Sequence, residues 1–340
     1  MTPPETTVTD GVRLLSHRPS VLYKVEHLAT EPVDGDIAVD GLLLTGPAWS
    51  DALKELLKAV SPSERACLFA LRLCDEQALP MPAETLLDRA RTDWFPDFLS
   101  HGQMKPHFQP IVEFATGRAY GREALMRGRL GAVEVRGGEL MAAAEAHDAL
   151  FSFDYRARTA ALETGLPLLP DGEVLFVNLD PRAALDVDAT IRTTWPVVAR
   201  MNADPSRICI EVVKPERCAD REMLAEMVDA HRKRGAQIAL DDLSCGTDAL
   251  LCLDALKPDI AKIDMAITAG IQHSEARRKL IAALVELAHE QGAKVVAEGI
   301  ERVDEYETMM ELGVDLGQGF YFGQPTERPM AVDPRLFVKR

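Results

Sequence analysis

The sequence predicts an α/β protein in which a parallel sheet with helical crossovers closes into a barrel, preceded by a small N-terminal α/β or helical module. Three observations predict it. From Lys105 onward, short β-rich runs alternate with helical patterns, the order expected of a parallel sheet. The chain has 340 residues, which suits a full α/β barrel with one smaller appendage better than an open sheet. Hydrophobic residues make up 47% and charged residues 27%, ordinary values for a chain that can bury a core.

Residues 1–98 read as the small module. The stretch VDGDIAVDGLLLTG (33–46) alternates like a short strand, and AWSDALKELLKAV (48–60) and ERACLFALRLCDEQ (64–77) space their apolar residues as amphipathic helices do. QALPMPAETLL (77–87) carries two prolines and reads as a joint with a helix restarting behind it. Trp94 in TDWFPDF is expected to pack that joint between module and barrel. No chemical motif stands in this region, so its expected role, regulatory or dimerising and open to a regulatory protein partner, rests on position alone.

Residues 99–334 carry the barrel rhythm. Its β-rich runs are PHFQPIVEF, AYGREALMR, EVLFVNLD, RICIEVV, QIALDD, DIAKID, KVVAEG and the short VDLGQGF. Helical patterns such as DREMLAEMVDAHRKRG and SEARRKLIAALVELAHEQG lie between most of them, each closing on a glycine where a left-handed cap is expected.

Charge and composition exclude several classes. The formal net charge of −16 argues against a general binder of DNA, since nucleic-acid domains carry a basic face. The basic run HRKRG ends a helix, where cations complement the dipole. Cysteines 67, 74, 209, 218, 245 and 252 form no CxxC pair and read as buried, reduced side chains. His107, His147 and His289 are scattered without ligand spacing and read as surface or packing residues. The longest apolar runs, such as LIAALVELA from Leu280, reach about half the ~20 residues of a membrane span, and MTPPETTVTDG lacks a secretory signal. A cytoplasmic protein with no membrane partner is expected.

The informative residues stand at the carboxyl ends of the runs. Glu123, Asn178, Glu211, Asp241 with Asp242, and Glu298 offer oxygen donors there, and Lys262 sits in DIAKID. In a barrel all these ends share one rim, so residues far apart in sequence converge. A lone carboxylate at a strand end is usually a cap or a solvated side chain, and Asn178 in NLDP could open a helix through an Asx-type turn; the repetition is what argues for a site. Hard oxygen donors without histidine or cysteine suit Mg²⁺ or Mn²⁺ rather than zinc. Adjacent aspartates allow one carboxylate to bridge two cations, and two cations roughly 3.5–4 Å apart suit in-line attack on a phosphodiester. The chemistry expected is metal-assisted phosphoester hydrolysis.

The runs FQPIVEFATGRAYGREALMR, FVNLDP, ICIEVV, IALDDLSCGTDALLCLDALKPDIAKID, VVAEGIE and LGQGFYFGQP, in this order and spacing, resemble EAL domains, named for the triplet seen here as Glu123-Ala124-Leu125. The resemblance implies a modified TIM (β/α)8 barrel, usually a homodimer, that hydrolyses cyclic di-GMP to linear pGpG with two Mg²⁺ or Mn²⁺ ions. It implies that Glu123, Asn178, Glu211 and Asp241 hold one ion and Asp241 with Asp242 the second. Glu298 would be the general base or a neighbour of the second ion, and Lys262 would hold the attacking water or a phosphate oxygen. Gln318 joins the same group, and Glu301 matches the second glutamate of EGxE. Gln109, Leu125 and Arg127 match positions that touch the ligand's base and phosphate; Arg127 suits that task because a guanidinium pairs two phosphate oxygens at once.

The loop behind the two aspartates departs from the family. DDLSCGTDAL (241–250) stands where DDFGTGYSSL is common, and Lys214 stands where a glutamate usually helps hold that loop. Serine in place of glycine restricts φ. Two function classes follow: an active cyclic di-GMP phosphodiesterase, or a catalytically degenerate module that binds cyclic di-GMP or docks on a protein. A barrel acting on another phosphoester is the third alternative.

Overall fold

The computed structural model describes residues 11–28, 37–38, 41–45, 48–73, 78–243 and 247–337. They fold as two compact units, Met1–Asp97 with Ala142–Asp148, and Phe98–Met141 with Ala149–Arg340.

The first unit is α/β. Its elements are β1 (Gly11–Ser16), α1 (Pro19–Leu28), β2 (Ile37–Ala38), β3 (Gly41–Thr45), α2 (Trp49–Ala59), α3 (Pro62–Arg65), β4 (Leu68–Arg72), β5 (Met81–Pro82) and α4 (Ala83–Arg91). The strands form one antiparallel sheet in the order β2-β3-β1-β4-β5. Alternation sets its buried face: Val12 and Leu14 pair with Leu44 and Leu42 on one side, and Leu14 pairs with Ala70 on the other. On that face α2 lays Trp49, Leu53, Leu56 and Leu57, one helical stripe, into the core.

The segment ERACLFALRLCDEQ is not a helix. One short turn, α3, opens on a capping box in which Ser61 Oγ accepts from Glu64 N and Glu64 Oε2 accepts from Ser61 N at 2.8 Å. The chain then extends as β4, with Leu68 and Ala70 buried and paired to β1. Spacing of three and four had hidden a period of two over these five residues, and sheet pairing overrides helix propensity there. Residues 74–77 lie outside the described residues. Trp94 meets Phe95 edge-on at 5.8 Å inside this unit, and His147 Nε2 lies 2.9 Å from Thr92 O.

The second unit is a closed barrel. Its elements are α5 (Phe95–His101), β6 (Gln103–Glu113), β7 (Arg118–Leu130), β8 (Val133–Arg136), α6 (Gly137–Ala146), α7 (Leu150–Leu168), β9 (Val174–Leu179), α8 (Val187–Arg200), β10 (Ile208–Val213), α9 (Arg221–Arg232), β11 (Gln237–Leu243), α10 (Thr247–Leu256), β12 (Ile260–Ile263), α11 (Met265–Thr268), α12 (Glu275–Glu290), β13 (Lys294–Ala297), α13 (Val303–Glu311) and β14 (Leu316–Gln318); α5 and α6 each carry residues of both units. The ring runs β6-β14-β13-β12-β11-β10-β9-β7 and closes through β6–β7, while β8 pairs only with β7. Strands β7 and β9 to β14 are parallel; β6 alone runs against both its neighbours. The expected barrel is therefore present, with one strand reversed.

Inside the ring lies an apolar layer of Ile111, Val174, Phe176, Cys209, Ala239, Ile260, Val296 and Leu316, all buried. A larger cluster fills the space between strands and helices. Because strand side chains alternate, the residue two positions beyond each member of the inner layer faces inward as well. Those residues are Asn178, Glu211, Asp241, Lys262, Glu298 and Gln318. On the reversed strand β6 the same step runs backward, from Ile111 to Gln109. Among the described residues no helix is long and apolar enough to cross a membrane.

Candidate metal centre and ligand cavity

Register brings these side chains to one level. Glu211 stands opposite Asn178, Val213 opposite Asp241, and Gln109 opposite Glu123. At the centre is Lys262, wholly buried. Its ammonium lies 3.2 Å from Glu123 Oε2, 3.1 Å from Asp241 Oδ1 and 2.5 Å from Glu298 Oε1, and pairs with Glu211 Oε1. Asn178 Nδ2 donates to Glu123 Oε1 at 3.2 Å, and Gln318 Nε2 donates to Glu123 Oε2 at 2.7 Å and to Gln109 Oε1 at 3.2 Å. Gln109 Nε2 donates to the Gly323 carbonyl at 3.1 Å.

Electrostatics leave this cluster short of positive charge. Burial pushes the Glu211 carboxyl well above the ordinary range, with Glu123 adding repulsion and Lys262 opposing both. Burial likewise raises Glu298, again opposed by Lys262. For Lys262 burial disfavours the ammonium, but Asp241, Glu123, Glu211 and Glu298 together outweigh it and hold its pKa well above that of a free lysine. Four carboxylates thus face one cation. Oxygen atoms of Glu123, Glu211 and Glu298 lie within 4.8 Å of one another. Glu211 Oε2 and Gln318 Oε1 are buried with no hydrogen-bond partner, a costly condition that a cation or its water would relieve. An all-oxygen, acidic donor set fits hard divalent cations.

A cavity of about 310 Å³ opens beside the cluster, lined in part by Glu123, Asn178 and Asp241. Leu125 and Arg127 line it as well, and Arg127 Nη1 donates to Met126 O at 3.0 Å. Helix α7, which the strand-end reading passed over, lines it too, and two of its lining residues are charged: Asp154 and Arg158, buried and ion-paired four residues apart. Asp154 Oδ1 also accepts from Asp180 N at 3.1 Å, and Arg158 Nε donates to Thr194 Oγ1 at 2.9 Å. Burial raises the Asp154 carboxyl against the pull of Arg158. A buried charge pair at i, i+4 on a helix is the signal that could have found them.

The remaining expected residues are placed differently. Glu301 is exposed, and its backbone N–H donates to Glu305 Oε2 at 3.0 Å; its carboxylate has no bond to the cluster. The side chains of Asp242 and Thr247, and residues 244–246 of the atypical loop, lie outside the described residues. Lys214 follows β10 in the left-handed region, φ 48° and ψ 55°, directly before Pro215, a backbone state uncommon for a side chain of its length.

A closed α/β barrel with a carboxylate cluster at its strand ends belongs to the class of barrels equipped to hold divalent cations beside a ligand cavity. The chain belongs to the EAL domain family, whose model matches residues 92–325. An uncharacterized protein of Azorhizobium caulinodans is 27% identical over 229 residues, 64% of this chain and 31% of the relative. The probable cyclic di-GMP phosphodiesterase PdeB of Escherichia coli K12 is 26% identical over 242 residues, 67% of this chain and 44% of the relative. This chain spans less than half the length of these curated relatives. Among solved structures, a standalone EAL protein from Vibrio cholerae O395 in its c-di-GMP-bound form superposes with a TM-score of 0.62 at 27% identity, over 69% of this chain and 98% of that one.

Proposed function

We propose that the barrel hydrolyses cyclic di-GMP to linear pGpG. The observation that carries this reading is the adjacency of the cavity to the cation-deficient carboxylates: Glu123, Asn178 and Asp241 belong to both. The relative named a probable cyclic di-GMP phosphodiesterase and the neighbour that holds cyclic di-GMP support the choice of ligand.

In this reading Glu123, Asn178, Glu211, Asp241 and Asp242 hold the cations. Mg²⁺ or Mn²⁺ bound there would supply Lewis-acid activation of a water and neutralise charge at the leaving oxygen. Arg127 pairs phosphate oxygens at the cavity wall, and Leu125 gives the base an apolar surface. Glu298 accepts a proton from the attacking water, while Lys262 keeps counter-charge beside it. The water oxygen bonds to phosphorus, the bond from phosphorus to the 3′ oxygen breaks, and that oxygen takes a proton from solvent, to which Glu298 returns its own, giving pGpG. Residues 1–98 are proposed as a regulatory or dimerising module, and the assembly as a homodimer.

Incubating the purified chain with cyclic di-GMP and Mg²⁺ or Mn²⁺, and following pGpG by chromatography with Glu123→Ala as control, tests the reading. Metal-dependent product lost in the variant supports it. Tight binding with no product under either metal favours the receptor alternative, to which the left-handed Lys214 at the end of the Glu211 strand gives a structural motive.

A further inference from the structure

Among the described residues of the cluster, Glu298 alone stands beyond its strand, since β13 ends at Ala297. Its backbone is therefore fixed by other means. Glu298 N donates to Ile263 O at 3.1 Å, and Ile300 N donates to Gln318 O at 3.0 Å. The rest of the segment is held from helix α13. Glu305 on that helix is buried, and its Oε2 accepts from Glu301 N at 3.0 Å and from Arg302 N at 3.2 Å. Its other oxygen, Oε1, accepts from Gly270 N at 2.9 Å, on the connection that follows the Lys262 strand. The two connections also pack closely: Gly299 has φ 67°, and a Cβ there would stand 2.4 Å from Met265 Cβ. Capping α13 needs only the bond from Arg302 N, so the bonds from Glu301 and Gly270 go beyond a cap.

We propose that Glu305 is a positioning residue: its carboxylate ties the connection behind Glu298 to the connection behind Lys262, and so fixes Glu298 where it takes a proton from the attacking water. This inference rests on the reading of the barrel as a hydrolase with Glu298 as its base, and deepens it. Glu305 does not line the cavity and acts through the backbone. A carboxylate accepts on both oxygens, whereas an amide of the same shape has one acceptor side and one donor side. In Glu305→Gln either orientation sets the NH2 group against a backbone N–H, at Gly270 or at Glu301 and Arg302, and one of the two ties is lost. A displacement of about 1 Å at a reacting group can cost about a hundredfold in rate.

The test compares full-length variants by turnover of cyclic di-GMP in Mg²⁺, affinity for it in Ca²⁺, thermal midpoint and backbone amide exchange. Glu305→Gln is expected to lower kcat between about tenfold and a hundredfold while affinity stays within about threefold. Exchange should quicken at Gly270, or at Glu301 and Arg302, because the bond that protects them is gone. Met309→Ala, at an apolar core position on the same helix, should lower the thermal midpoint and leave kcat within about twofold. Should Glu305→Gln fold poorly, Glu305→Asp, which keeps both acceptors on a shorter arm, should show the same split in milder form. Four results each overturn the proposal while hydrolysis stands: unchanged kcat in Glu305→Gln, an equal loss of kcat in Met309→Ala, a loss of affinity that matches the loss of kcat, or unchanged exchange at all three amides. A wild-type chain that makes no pGpG overturns the hydrolase reading, and this inference with it.

Discussion

Lys262 Nζ and Glu298 Oε1 lie 2.5 Å apart, joining β12 to the residue that follows β13, with the lysine wholly buried and the glutamate partly so. This pair and the three others that Lys262 makes are the protein's own compensation for a buried concentration of negative charge. Removing one partner of a buried pair usually costs about 3–5 kcal/mol, because the other charge is left uncompensated. Lys262→Met should therefore lose stability of about that size in EDTA, and Mg²⁺ should restore more stability to the variant than it gives the wild type. Urea unfolding with and without Mg²⁺ measures both; equal responses to Mg²⁺ would show that the lysine and the cation do not share the same carboxylates.

His231 gives the acid limb of the stability curve a specific cause. It is buried, its Nδ1 accepts from Trp195 Nε1 at 3.2 Å, and its Nε2 has no partner. Burial first, then Arg158 and Arg234, lowers its pKa to about 3. The unfolded chain, with an ordinary imidazole near 6.5, binds a proton that the folded chain refuses. Its cost is absent above about pH 6.5 and grows as pH falls toward 3, by up to about 1.4 kcal/mol per pH unit. His231→Leu should flatten the fall between pH 6.5 and 5 by about that slope, as urea unfolding at several pH values would show.

Gly319 is where the backbone beside the cluster tolerates no side chain. Its φ is 155°, and a Cβ there would stand 2.0 Å from the Ile300 carbonyl oxygen. Gly319→Ala should destabilise the fold by more than about 2 kcal/mol and weaken Mn²⁺ binding with it, because Gln318 is the preceding residue. Denaturant midpoints and Mn²⁺ titration read the two effects separately. Wild-type values in both would mean the loop relaxes freely.

Arg127 is the wall residue whose shape matters as much as its charge. Arg127→Lys keeps the charge but loses the planar fork, and is expected to weaken cyclic di-GMP binding about tenfold, with Arg127→Ala weaker still. Binding measured in Ca²⁺, a cation chosen to slow turnover, tests this. Equal affinity for the lysine variant would point to a general field effect instead of paired hydrogen bonds.

Much of this site was legible because a parallel barrel puts chemistry where strands end. Asn178, Glu211, Asp241, Lys262 and Glu298 each follow an inward apolar residue by two, so a pattern of period two announced them. Gln109 carries no such mark. It sits on the single reversed strand, where the rim lies toward the amino end, and residue spacing alone does not reveal that reversal. Asp154 and Arg158 were missed for another reason: they project from a helix, where charges are ordinarily solvated, and only packing makes the pair internal. In the first unit, β4 was read as helix because five residues of alternation are too few to outweigh helix-compatible spacing before the partner strand is known.

The apolar layer inside the barrel has a consequence for traffic. Phe176, Cys209, Ala239, Ile260, Val296 and Leu316 form an insulating floor under the carboxylates, so ions are barred from the far side by the cost of crossing hydrocarbon. Among the described residues the cavity beside the centre opens at the rim, the side from which the proposed ions and ligand would both arrive. An occupant seated in the cavity stands over that opening, so a bound nucleotide should slow escape of the cations beneath it. On the proposed function, the ligand would leave first and the ion after.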